Sequence, residues 1–172
     1  ERIGKVVIYT NGIHCGKYVN EFSNEKFRFL INCNSPSDMG KERFERLKNN
    51  LRLMINERFL KNRITLGINM YKVDFEYEYM LELLEEFSFK SVRVSITVPS
   101  IDEPEQGDAV SEFMKIKPRM FEFFKKLQEK GIAPHYDCNK IPSCCLSEEE
   151  LIFSKELFKD ETFADFTSIT GN

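Results

Sequence analysis

Two hydrophobic rhythms alternate along this chain, and their alternation limits what it can fold into more than any other feature. Val6-Val7-Ile8-Tyr9 is a short, wholly apolar run closed by Thr10-Asn11-Gly12, which predicts a strand buried on both faces and then a turn. Phe27 to Ile31 repeats the pattern and stops at Asn32-Cys33-Asn34-Ser35-Pro36, where Asn, Ser and Pro favour turns. A different period follows: Phe44, Leu47, Leu51 and Met54 recur at helical spacing with Lys and Glu between them. Ile64 to Met70 predicts a third strand, Asp74 a helix N-cap, and Phe75, Met80, Leu83, Leu84 and Phe87 the next buried stripe. Ser91 to Val98 predicts a fourth strand.

Beyond an acidic stretch from Ser100 to Asp108, a helix carrying Phe121, Phe124 and Leu127 is expected to begin close to Pro118 and to end at Gly131. Ala133 to Tyr136 is a fifth short extended run. Ser147 with Glu150 forms a capping box for a last helix reaching about Lys159. Strand and helix repeating in this order predict an α/β fold with a parallel sheet, because parallel strands must be joined by crossovers. Helices are expected to cover one side, and the strand at 6–9 to be an exposed edge.

At 172 residues with no break in composition, the chain is long enough for one hydrophobic core. No apolar run approaches the ~20 residues a membrane helix needs, and a net charge of -3 without a basic stripe argues against nucleic acid. An odd count of five cysteines, with Cys138, Cys144 and Cys145 crowded together, fits a reducing compartment, and a cytoplasmic location is expected. Glu1 stands at the first position and an apolar run follows almost at once, so the natural start is expected upstream.

Ligands in parallel α/β folds gather at the C-terminal ends of the strands. That rim is rich in amide and carboxylate here: Asn11, Asn32, Asn34, Asn69 and Asp137 all fall at or just past strand ends, although turn and cap duty accounts for such residues too. His14-Cys15 pairs a base with a thiol, but sequence neighbours seldom face each other, and Cys15 is read as inert. No phosphate-binding glycine loop, zincin helix or serine elbow is present.

These residues carry a resemblance. Val-Val-Ile-Tyr-Thr-Asn-Gly at 6–12 resembles the third strand of radical S-adenosylmethionine (SAM) enzymes, and Ile31-Asn32-Cys33-Asn34-Ser35-Pro36 the ending of their fourth. Residues 64–70 resemble the fifth strand and 92–100 the sixth. The resemblance implies a partial TIM-like (β/α)6 barrel over residues 1–132. It implies a parent oxidoreductase or peptide-modifying enzyme that uses S-adenosylmethionine and a [4Fe-4S] cluster to generate a 5′-deoxyadenosyl radical. It places Asn32 and Asn34 near the ribose and methionine parts, with Asn11 and Asn69 completing the cofactor-binding set.

The family's C-x-x-x-C-x-x-C loop and Gly-Gly-Glu segment do not occur in these residues, so no catalytic residue is assigned and the piece itself is expected to be inactive. Asp137 to Cys144 resembles the start of a SPASM-type extension over 133–172, which implies cluster ligation by Cys138 and Cys144; the alternative for both is apolar packing. The implied partners are a peptide or protein substrate and a second copy paired through the edge strand. Two rival readings stay open: a non-catalytic doubly wound ligand- or partner-binding module, and a zinc domain using His135, Cys138 and Cys144.

Overall fold

The computed structural model describes residues 4–22, 24–97, 108–136 and 143–158. Five strands, β1 (Val6–Thr10), β2 (Phe27–Asn32), β3 (Ile64–Met70), β4 (Ser91–Ile96) and β5 (Ala133–Tyr136), form an all-parallel sheet in the order β1-β2-β3-β4-β5. The α/β class follows directly. A doubly wound sheet reverses its strand order at a switch point, and the sequential order here contains no such reversal. The expected edge is present. β1 is the first strand of the sheet, with Val7 49% and Tyr9 62% exposed, and β5 is the last. Pro134, which has no amide hydrogen for a ladder, is confined to that last strand.

The chain divides into two compact units, one of Glu1–Ile68 with Glu76–Val92 and one of Asn69–Phe75 with Arg93–Asn172. In the first unit β1 and β2 run in register with Ile8 beside Phe29 and Thr10 beside Ile31; β2 and β3 place Phe29 beside Ile64 and Ile31 beside Leu66. Side chains alternate across a strand, so Phe29, Ile31, Ile64 and Leu66 share one face. All four are buried, whereas Val7, Tyr9 and Thr65 on the opposite face are exposed. One face of this part of the sheet is covered and the other is not.

The cover is helical. After short helices α1 (Cys15–Tyr18) and α2 (Pro36–Met39), α3 (Lys41–Arg52) turns Phe44, Leu47 and Leu51 inward and continues through a π-turn at Leu53–Glu57 that buries Met54. Leu47 and Leu51 are wholly buried, and truncating either to Ala would cost about 2–5 kcal/mol. The α4 helix (Glu78–Glu86) buries Met80, Leu83 and Leu84. It begins later than an N-cap at Asp74 would have it: its N-cap is Tyr77, and Asp74 is exposed. Phe75 and Tyr77 are buried at a spacing of two just before the first helical turn, which suits an extended entry.

In the second unit α5 (Ala109–Glu129) is capped by Asp108, whose carboxylate accepts from the Ser111 amide at 3.0 Å, so the helix starts well before Pro118. Pro118 therefore lies inside it. It removes the hydrogen bond to the Met114 carbonyl, but Pro118 is exposed and Met114 is 44% exposed, so water can take that bond. Gly131 ends the helix with φ +63°: its amide donates to Gln128 and that of Ile132 to Leu127. The α6 helix (Glu148–Phe158) opens with the expected capping box, Glu150 N to Ser147 Oγ at 3.2 Å and Ser147 N to a Glu150 carboxylate oxygen at 2.8 Å. Tyr136 and Phe158 stack at 4.2 Å between ring centres. No helix among the described residues is long and apolar enough to cross a membrane.

Candidate functional site

The end of β1 is a built turn. Thr10 Oγ1 accepts from the Gly12 amide at 3.1 Å and Asn11 Oδ1 from the Ile13 amide at 3.2 Å, so half of the Asn11 side chain serves the turn. Gly12 sits at φ +77°, and a Cβ there would overlap Leu47 Cδ1 and Ile31 Cγ2. From α3, Asn50 Nδ2 donates to both the Gly12 and Ile13 carbonyls at 2.8 Å. The loop that carries Asn11 is thus fixed to a helix. Burial pushes the Cys15 thiol up, against a weak contact to Thr10 Oγ1 at 3.9 Å, and so lowers its thiolate fraction.

The end of β2 splits into two sides. Cys33 is buried, donates its amide to the Gly67 carbonyl at 2.8 Å and so prolongs the ladder by one residue. Burial pushes its thiol up to about 12. Asn32 and Asn34 alternate with it and are half-buried and exposed respectively. Ser35, 2% exposed, caps α2 by accepting from the Asp38 amide at 3.2 Å, and Ser37 Oγ donates to Glu76 Oε1 at 2.6 Å. Two amide side chains therefore stand beside a rigid polar cap in the first unit.

Asn11, Asn32 and Asn34 all belong to that unit. Asn69 belongs to the second, where Arg93 Nη1 donates to its Oδ1 at 3.4 Å. Of the proposed metal ligands, Cys138 lies outside the described residues, as does Asp137. Cys144 is exposed with its Sγ 3.9 Å from that of Cys145, and burial together with the Cys144 thiol raises the Cys145 pKa. Among the described residues no group of three or more His, Cys, Asp or Glu could hold a metal ion, so the described residues do not make an iron–sulfur or zinc site. The ionic carboxylates are structural: Glu86 pairs with Lys48 and Arg52, and Glu150 with Lys117.

Sequence reasoning missed one grouping. His14, Arg43 and Arg46 join Asn11, Ile13 and Glu42 around a cleft of about 530 Å³ in the first unit. Its signal in the sequence is the three-residue spacing of Arg43 and Arg46, which puts both on the polar side of α3 away from Phe44 and Leu47.

No family model matches the chain, and comparison with curated proteins and with solved structures likewise finds no match.

Proposed function

We propose that the chain is the central part of a radical SAM enzyme, with β1 to β4 standing as strands three to six of a (β/α)6 barrel. One observation carries the reading. The strands follow one another in parallel and in sequential order, while the face bearing Val7, Tyr9 and Thr65 is left uncovered in the first unit. A singly wound barrel uses that arrangement, with helices outside and the other face turned inward. Asn32 and Asn34 at the end of β2 suit the donor and acceptor needs of a ribose and an amino-acid group, because each amide offers both. When bound in the parent, SAM would supply the radical chemistry; these residues would bind and orient it.

The cluster is another matter. The thiols of Cys15 and Cys33 are held in raised-pKa positions, and C-x-x-x-C-x-x-C occurs nowhere in the 172 residues, so the reading requires a three-cysteine loop supplied from outside them. A peptide or protein substrate, ligation of an auxiliary cluster by Cys138 and Cys144, and a cytoplasmic location belong to the same proposal.

The coding sequence upstream of Glu1 is the first test, and absence of both a C-x-x-x-C-x-x-C loop and a Gly-Gly-Glu segment there defeats the reading. The second is anaerobic reconstitution: the full-length parent should release 5′-deoxyadenosine from SAM and the 172-residue chain should not. Release by the 172-residue chain alone would show that the chemistry is placed wrongly.

A further inference from the structure

We propose that the cleft at the end of β1 is a binding site for the phosphate group of a small phosphorylated molecule, independent of the radical SAM reading. It is walled from two elements. The loop after β1 gives Asn11, Ile13 and His14, and the first turns of α3 give Glu42, Arg43 and Arg46. Its volume of about 530 Å³ falls within the roughly 300–1,000 Å³ of small-molecule sites, so there is room for more than the anion itself.

The donors have capacity to spare. Among the described residues the Arg43 and His14 side chains make no hydrogen bond and no ion pair, whereas Arg46 reaches Glu42 at 3.2 Å in an exposed i,i+4 pair. Such a pair is worth well under about 1 kcal/mol, so Arg46 can turn to a better acceptor at little cost. Asn11 spends its oxygen on the Ile13 amide, which leaves its Nδ2 as a donor. Two guanidinium forks, an imidazole and an amide thus converge from separate elements. A phosphate monoester has three terminal oxygens to receive them, and arginine forks match it bidentately.

Glu42 is the opposing charge in the wall. Once Arg46 turns to the phosphate, the Glu42 carboxylate is released as an acceptor for a hydroxyl or an ammonium on the ligand's body.

The walls are also held in advance. Asn50 ties the Gly12 and Ile13 carbonyls to α3 through two 2.8 Å hydrogen bonds, and Gly12 leaves no room for a side chain against Leu47. Loop and helix keep one spacing before any ligand arrives, which reduces the ordering cost of binding.

The test is a titration of the isotope-labelled 172-residue chain with inorganic phosphate, followed by amide shifts in ¹H–¹⁵N spectra at fixed ionic strength. Saturable shifts confined to residues 11–14 and 42–46 are expected. Arg43→Ala should weaken phosphate at least about tenfold, the scale of one charge-assisted hydrogen bond, and Arg43→Lys should recover only a minor part because it lacks the fork. Both variants are at an exposed position, and unchanged spectra elsewhere will show that they fold. Acetate at equal concentration should bind more weakly. Shifts spread evenly over surface Lys and Arg, full affinity in Arg43→Lys, or acetate equal to phosphate would each overturn the assignment. None of these outcomes bears on SAM cleavage by the parent, so the two proposals can fail separately.

Discussion

Tyr79 of α4 donates its hydroxyl to the Cys33 carbonyl at 2.6 Å, joining residues 46 apart in sequence at the C-terminal end of β2. The bond is buried, and the Tyr79 ring also meets Phe44 edge-on with centroids 5.9 Å apart. Tyr79→Phe keeps the ring and removes the donor, which strands a carbonyl just outside the regular ladder. A loss of about 1–3 kcal/mol in urea unfolding is expected, the cost of an unmet buried acceptor. An unchanged midpoint would mean that water replaces the hydroxyl there.

Cys33 and Cys144 should part company toward alkylating reagents. Cys33 is 1% exposed with its thiol raised to about 12, so almost none is thiolate at neutral pH. Cys144 is exposed. Iodoacetamide followed by peptide mass mapping should label Cys144 in the native chain and Cys33 only after denaturation. Labelling of Cys33 in the native chain at mildly alkaline pH would place it outside the core.

How far this was legible in the sequence depended on whether one period or two governed a segment. β2 and α3 have clean periods of two and 3.6, and residues named from them, such as Ile31 and Leu47, are buried as expected. Phe75 and Tyr77 carry a period of two directly before α4, which is why the N-cap at Asp74 failed. Pro118 misled because its local cost depends on exposure, which a linear sequence does not display. The rim amides Asn11, Asn32 and Asn34 were legible from their places after strands. The cleft was not, since Arg43 and His14 are far apart in sequence and only packing of the β1 loop on α3 brings them together.

Acid should weaken the first unit through Glu86. Burial raises its carboxyl, but hydrogen bonds and charge from Arg52 and Lys48 outweigh this and leave it below its ordinary value. A depressed carboxyl contributes stability above its unfolded-state pKa and loses it as pH falls through the folded value. The melting-temperature gap between the wild type and Glu86→Gln should therefore be widest near neutrality and close below about pH 4. Its size should stay within about 1 kcal/mol because the pair is screened by solvent. A gap that widens in acid would reverse the assignment.

Phe59 is held in left-handed backbone, φ +54°, where the helix that begins with α3 ends, and it is 85% exposed. The Leu60 amide closes this end on the Met54 carbonyl at 2.9 Å, a geometry that glycine adopts without strain. Phe59→Gly should stabilise by roughly 1 kcal/mol, since the left-handed penalty for a side chain exceeds what an exposed ring returns. Thermal unfolding would read this as a rise in Tm, and a fall would mean that Phe59 packs on something in solution.

Pro118 gives the last test, because two effects of opposite sign meet there. Proline inside a helix costs about 3 kcal/mol relative to alanine when the helix must satisfy its own backbone. Proline also stiffens the unfolded chain, which returns about 0.4–1 kcal/mol to the folded state wherever its φ suits the site. Helical φ does suit it, and exposure of both Pro118 and Met114 lets water offset the lost bond. The helix penalty still outweighs the gain in chain stiffness after that offset, so Pro118→Ala should stabilise the chain by about 1–2 kcal/mol, with the Met114 carbonyl newly bonded to the Ala amide. Urea unfolding would read the gain, and protection of the new amide at position 118 against hydrogen exchange would locate it. A destabilised variant would mean that the stiffening of the unfolded chain outweighs the helix penalty at this exposed site.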